Sequence, residues 1–183
     1  MTPGDVGGSA RKRGTLLDYL DENDLECVPC SAADPAVPIV TVPVLPGWTR
    51  AAPETFPGAL SVLLAPDLVC NGFMPNAVVL HGQLSGAADA DRLLDAARGT
   101  SSQLPGWQEE ESSDADFLGH RALFVSGIYD ADPWMLASTT RFVVVESAGT
   151  QYLTQLTVTT VAEQTEALAT DVMVINLGLE IRV

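Results

Sequence analysis

Apolar and polar positions alternate most regularly between Ala137 and Asn176. Thr139 to Glu146 holds the β-branched and aromatic run Phe142, Val143, Val144 and Val145, and Ser147-Ala148-Gly149 supplies a short turn. From Gln151 to Thr159 the period is two: Tyr152, Leu156 and Val158 point one way, and Gln151, Gln155, Thr157 and Thr159 the other. That alternation predicts a half-buried strand, so the stretch reads as a hairpin. Thr160-Val161-Ala162-Glu163 follows with the spacing of a capping box and predicts a helix beginning there, which Gly178 ends.

The same reading extends along the chain. Thr15-Leu16-Leu17-Asp18 predicts a capped short helix ending near Asn23, followed by an irregular Pro-rich connector to Pro38. Strands are predicted at Ile39–Val44, Ala59–Ala65, Ala77–Leu84 and Arg121–Tyr129, with a short terminal one at Leu179–Val183. Asp89 caps a helix whose apolar positions Ala90, Leu93, Leu94 and Ala97 fall on one side, and Gly99 is expected to stop it. Pro46-Gly47-Trp48 and Pro105-Gly106-Trp107 read as turns, each followed by a core-seeking tryptophan. Most strand connections are too short for parallel crossovers, so the class is α+β, with a mainly antiparallel sheet of about six strands flanked by helices.

Length and charge narrow the picture. The 183 residues suit one domain, read as residues 15–183 behind a disordered basic tail at residues 1–14. The net charge is −15, and beyond the cluster Arg11-Lys12-Arg13 only 6 basic side chains face 23 acidic ones. Such a body repels phosphate backbones, which speaks against nucleic acid as a partner. No apolar run reaches transmembrane length, and Met1 to Ser9 is not followed by a secretory apolar segment, so the expected location is cytoplasmic, with signal-less export left open.

The chemistry-bearing residues are sparse. Cys27-Val28-Pro29-Cys30 has C-x-x-C spacing, open to structural thiols, a disulfide, or a redox or metal pair. His81 lies within a strand and reads as a hydrogen-bonded structural histidine, and His120 stands at the mouth of another strand. Glu109-Glu110-Glu111 with Asp114 and Asp116 lacks the glycine-bearing spacing of a calcium loop and reads as a solvated acidic loop. No nucleophile elbow or phosphate-cradling loop occurs, so neither catalytic residues nor a cofactor or metal site is assigned.

Taken together, Thr15 to Asn23, the Pro-rich connector, Val44-Leu45-Pro46-Gly47-Trp48, Leu104-Pro105-Gly106-Trp107, Gly119 to Tyr129 and Gln151 to Val158 resemble the mycobacterial LpqN/LpqT lipoprotein family. The resemblance implies a PsbP-like α/β/α sandwich, an actinobacterial source, a link to the cell envelope, and no established catalytic residues. The family's lipoproteins carry a signal peptide ending in a lipid-modified cysteine. Here Leu25-Glu26-Cys27 is not a lipobox, because an acidic residue precedes the cysteine and no apolar segment leads into it.

Apolar loop tips are the feature that does call for a function. Phe73 and Met74 sit in the loop Pro66–Pro75, and Trp134 and Met135 at the tip before the long hairpin. Exposed apolar residues rimmed by charge mark contact surfaces, while the same residues folded inward would only extend the core. The leading expectation is a non-enzymatic binding module that presents Phe73, Met74, Trp134 and Met135 to a protein partner or to a second copy. The alternative is a carrier of a small apolar or lipid ligand held between sheet and helices.

Overall fold

A computed structural model describes residues 14–183, so the expected basic tail lies, apart from Gly14, outside the described residues. The long hairpin forms the spine. Strands β8 (Trp134–Ser147) and β9 (Thr150–Val161) pair without interruption from Leu136↔Val161 to Ser147↔Thr150. Ala148 and Gly149 both have positive φ, 50° and 79°, which is the backbone a two-residue turn needs to match the twist of its strands.

On either side of this spine lie β7 (Arg121–Ala131), next to β8, and β5 (Asn76–Leu84), next to β9. Beyond β5 come β4 (Ser61–Leu64) and the two-residue β3 (Thr49–Arg50), and beyond β7 comes β6 (Gln108–Ser113). Strand β1 (Cys27–Pro29) pairs with the distal half of β5 and completes an eight-stranded antiparallel sheet. A separate ribbon joins β2 (Ile39–Thr41) to β10 (Glu180–Arg182).

The sheet is buried on both faces. Helices α1 (Leu16–Glu22) and α2 (Ala90–Ser102) cover one, where Leu20, Leu93, Leu94 and Ala97 meet Leu123, Val125, Phe142, Val144 and Leu153. Helix α3 (Thr165–Leu177) and the β2–β10 ribbon cover the other, where Ile175, Leu179, Val42 and Trp48 meet Val79, Val143, Val145, Leu156 and Val158. This is the expected α/β/α sandwich. Its sheet is larger than the expected six strands: β1 lies inside what reads as connector, β3 just past what reads as a turn and β6 inside what reads as acidic loop, while the expected strand Ile39–Val44 is shortened to Ile39–Thr41 and sits in the separate ribbon. Charged side chains are poor strand formers, but on an edge they also discourage pairing with another chain, and β6 is an edge.

Local signals hold in part. The Thr15–Asp18 capping box forms, with both reciprocal hydrogen bonds present, and Asp89 accepts from the Arg92 amide at 3.1 Å. The expected box at Thr160–Glu163 does not form: Thr160 is still in β9 and buried, a short 3-10 turn spans Ala162–Gln164, and α3 starts without a side-chain cap. Glu163 instead accepts from Asn71 Nδ2 at 3.0 Å, tying α3's approach to the loop that carries Phe73. Gly99 does not stop α2, which continues to Ser102. The local cost of a helical glycine, about 1 kcal/mol, is offset by packing, and Thr100 Oγ1 accepts from the Leu16 amide at 2.9 Å. Trp48 is buried as expected and donates to Asp171 Oδ2 at 2.8 Å, anchoring α3.

Candidate functional site

On the face covered by α3, strand parity decides what faces the helix. Arg141 shares parity with Val143 and Val145 on β8, so it points into the same layer as those core residues. Its cross-strand neighbours are Phe124 on β7 and Leu156 on β9. Towards β6 this layer is not filled. A cleft of about 410 Å³ remains between α3 and strands β6 to β9. Ala137, Thr139, Phe124 and Val158 contribute to its strand side, and Ala169, Val172, Met173 and Leu177 to its helix side. That volume lies within the roughly 300–1,000 Å³ of small-molecule sites.

The cleft has a polar inner end. Arg141 and Asn176 both line it, and they are 8 % and 2 % exposed. Arg141 Nε donates to Asn176 Oδ1 at 2.9 Å. The guanidinium carbon lies 4.1 Å from the ring centre of Phe117 and 5.3 Å from that of Phe124. No carboxylate of the described residues pairs with it, and Asn176 Nδ2 is buried without a partner. Burial pulls the Arg141 pKa below its usual range. Two rings in cation–π contact contribute about 1–2 kcal/mol each, against several kcal/mol for desolvating a charge. The guanidinium therefore stands undercompensated in a chain rich in acids.

Those acids are engaged elsewhere or exposed. Arg121 binds Asp116 at 2.8 Å and also Asp91, and Arg98 binds Asp114 at 2.5 Å, which pins the acidic stretch to α2 and to the mouth of β7. Glu110 and Glu111 line the cleft from β6 and are exposed to solvent. The expected solvated acidic loop is thus an edge strand followed by an ion-paired turn. No group of three or more metal-ligating side chains occurs among the described residues.

The sequence-marked tips come together outside this cleft. Phe73 and Trp134 meet edge to face with ring centres 5.6 Å apart, and Trp134 Nε1 donates to the Asn71 carbonyl at 2.8 Å. The two aromatic rings are half-buried against each other, while Met74 and Met135 stay 37 % and 49 % exposed. The tip is nevertheless continuous with the cleft, because β8 runs from Trp134 and Met135 directly to Ala137, Thr139 and Arg141.

The remaining candidates are structural in their surroundings. His81 is buried on β5, its Nδ1 sits 2.9 Å from Thr154 Oγ1, and its ring stacks on Tyr152 at 5.4 Å. His120 forms an isolated backbone bridge with Phe117. Cys27, Cys30 and Cys70 are free thiols, and burial raises the pKa of Cys27 and of Cys30. No histidine or cysteine lines the cleft. Sequence reading missed Arg141 and Asn176 altogether. The available signal was an arginine in phase with Val143 and Val145 on a strand whose every second residue is apolar.

The class is thus a layered α/β/α sandwich whose α3 face keeps a cleft with an apolar lining and a charged inner end. The family model described as probable lipoprotein LpqN matches residues 12–182, and the chain belongs to that family. It is similar to the proline-rich 28 kDa antigen of Mycobacterium tuberculosis, 29 % identical over 163 residues that make up 88 % of this chain and 52 % of the antigen. It is also similar to lipoprotein LpqN of the same organism, 26 % identical over 155 residues, 84 % of this chain and 68 % of that protein. The chain therefore spans about half the length of the antigens it matches. A crystal structure of LpqN, described as involved in cell envelope biogenesis of M. tuberculosis, superposes with a TM-score of 0.80 at 24 % identity, over 92 % of this chain and 98 % of that one. The expected family and fold are both found. No helix of the described residues is long and apolar enough to cross a membrane.

Proposed function

We propose that this protein is a non-enzymatic binding protein that holds a small apolar or lipid-like ligand in the cleft between its sheet and α3. The observation that carries this reading is the cleft itself, unfilled on an otherwise well-packed face and lined by Phe124, Val158, Val172 and Met173. A carrier of this kind is consistent with the envelope role described for the related LpqN. Native mass spectrometry of protein purified from its own host tests it. The expected spectrum shows a co-purifying apolar molecule, lost in Ala137→Phe, whose added ring fills the floor. A ligand-free spectrum, together with no uptake of any acyl-chain probe by the wild-type protein, would overturn the reading.

A second reading rests on the loop tips. The Phe73–Trp134 contact fixes two loops side by side and leaves Met74 and Met135 exposed on top of them. Methionine adapts its shape to a contact surface, which suits a protein partner or a second copy of the chain. Sedimentation and host-lysate pull-down of Met74→Ser/Met135→Ser test this reading. It predicts loss of a contact that the wild type makes, and unchanged assembly and partners would end it.

A further inference from the structure

Of the six arginines from Arg50 onward, Arg141 alone is buried, and it alone lines the cleft. The others lie at the surface or meet acids: Arg98 and Arg121 are ion-paired, Arg92 stacks on Tyr19, and Arg50 donates to Ser61. Asn176 engages Nε of Arg141 and no more, so the terminal guanidinium nitrogens donate to no described residue. Asn176 Nδ2, buried in the same wall, also has no acceptor. A buried amide donor without an acceptor, and a guanidinium whose terminal nitrogens have no protein acceptor, thus stand side by side at the inner end of the cleft. Buried donors left without acceptors are rare in folded proteins, and a bound ligand supplying the acceptor is one way to resolve them.

We propose that Arg141 and Asn176 select a single-chain amphiphile with an oxyanion head, a carboxylate or a phosphate, whose hydrocarbon chain lies along Phe124, Val158, Val172 and Met173. A guanidinium presents a planar fork that fits two oxygens of such a head, and the adjacent amide gives a third donor. Opposing charge at the cleft comes from Glu110, Glu111 and Asp116, all exposed to solvent. Water screens it, and Asp116 is already bound to Arg121. The cleft's position in the small-molecule range favours one chain over two. This inference rests on the cleft being the ligand site proposed above.

The test compares ligands that differ only in the head. Titration calorimetry of the purified protein would measure dodecanoate, dodecyl phosphate and dodecanol, with acetate and inorganic phosphate as chainless anions. The expected result is that at least one of the two anionic chains binds about ten- to hundredfold tighter than the alcohol. The tighter of the two identifies the head, and acetate and phosphate compete poorly. In Arg141→Met the acid-to-alcohol ratio falls towards one. Arg141→Lys retains part of the preference, because charge remains without the fork. Equal affinity for acids and alcohol in the wild type overturns the inference while leaving the cleft as an apolar site. Chainless anions that compete as well as dodecanoate overturn it in favour of a free anion. If no chain binds at all, the cleft reading fails with it. Because the wild-type ratio decides the matter, poor folding of a variant does not protect the proposal.

Discussion

The Nε of Arg141 donates to Oδ1 of Asn176 across the interface between β8 and α3, at 2.9 Å and with both residues buried. It is a polar link between the sheet and the helix that roofs the cleft, alongside Trp48 to Asp171. Asn176→Ala would leave the Nε proton without an acceptor in a dry layer. We expect it to lower stability by about 1–3 kcal/mol, read as a shift in the urea midpoint at constant slope. An unshifted midpoint would mean that water reaches the pair.

His81 gives the protein a pH-dependent stability. Burial holds its pKa below the ordinary value of 6.5, so the unfolded chain binds the proton more readily than the folded one. Its contribution is fully present above that ordinary value and is lost progressively as the pH falls through it towards the lower folded value. Urea midpoints should therefore drop between pH 7.5 and pH 5 by more in the wild type than in His81→Gln, which keeps a hydrogen-bonding side chain facing Thr154. Parallel pH curves for the two proteins would count against this assignment.

The edge-to-face pair Phe73–Trp134 should show energetic coupling. A double-mutant cycle with Phe73→Leu and Trp134→Leu is expected to return about 0.5–1.5 kcal/mol, the usual range for such ring pairs. Strict additivity would indicate that the two loops are held together by the hydrogen bond from Trp134 Nε1 to the Asn71 carbonyl instead.

Gly127 fixes how closely β6 approaches β7. A Cβ there would press on the Gln108 carbonyl and come within 2.7 Å of the Trp107 ring. Gly127→Ala should destabilise the protein by about 1–3 kcal/mol and loosen β6, the strand that brings Glu110 and Glu111 to the cleft. Hydrogen exchange would report it as faster exchange confined first to residues 108–113. Uniform acceleration across the sheet would show that the edge is not separately mobile.

Much of the fold was legible because period and turn chemistry agree. The β8–β9 hairpin combines apolar alternation with Ala148-Gly149 at its turn, where two successive positive φ angles are needed. The Thr15 capping box is likewise local chemistry that nothing overrides. Where reading failed, tertiary contact won over local signal. Thr160 has the spacing of a helix cap, yet β8 pairs with it and keeps it in the strand. Gln108–Ser113 has little strand propensity, yet it pairs with β7 and is tied near its end to α2 by Arg98. The apolar tips were recognised from their unusual composition. The cleft was foreseen only in outline, because a gap between layers is a property of several elements together. Its polar end lay unseen in the phase of a single arginine on β8.

The order in which the chain is made bears on the site. Every strand of the eight-stranded sheet precedes Thr165, whereas the roof of the cleft is α3, placed by Asn176 and followed at once by β10. That strand reaches back to pair Arg182 with Ile39, a contact closed only after nearly all the intervening chain has been synthesised. A nascent chain interrupted before Thr165 would carry the sequence of the whole sheet and no binding site. The cleft is therefore completed late, by the same closure that brings an early strand and a late one together.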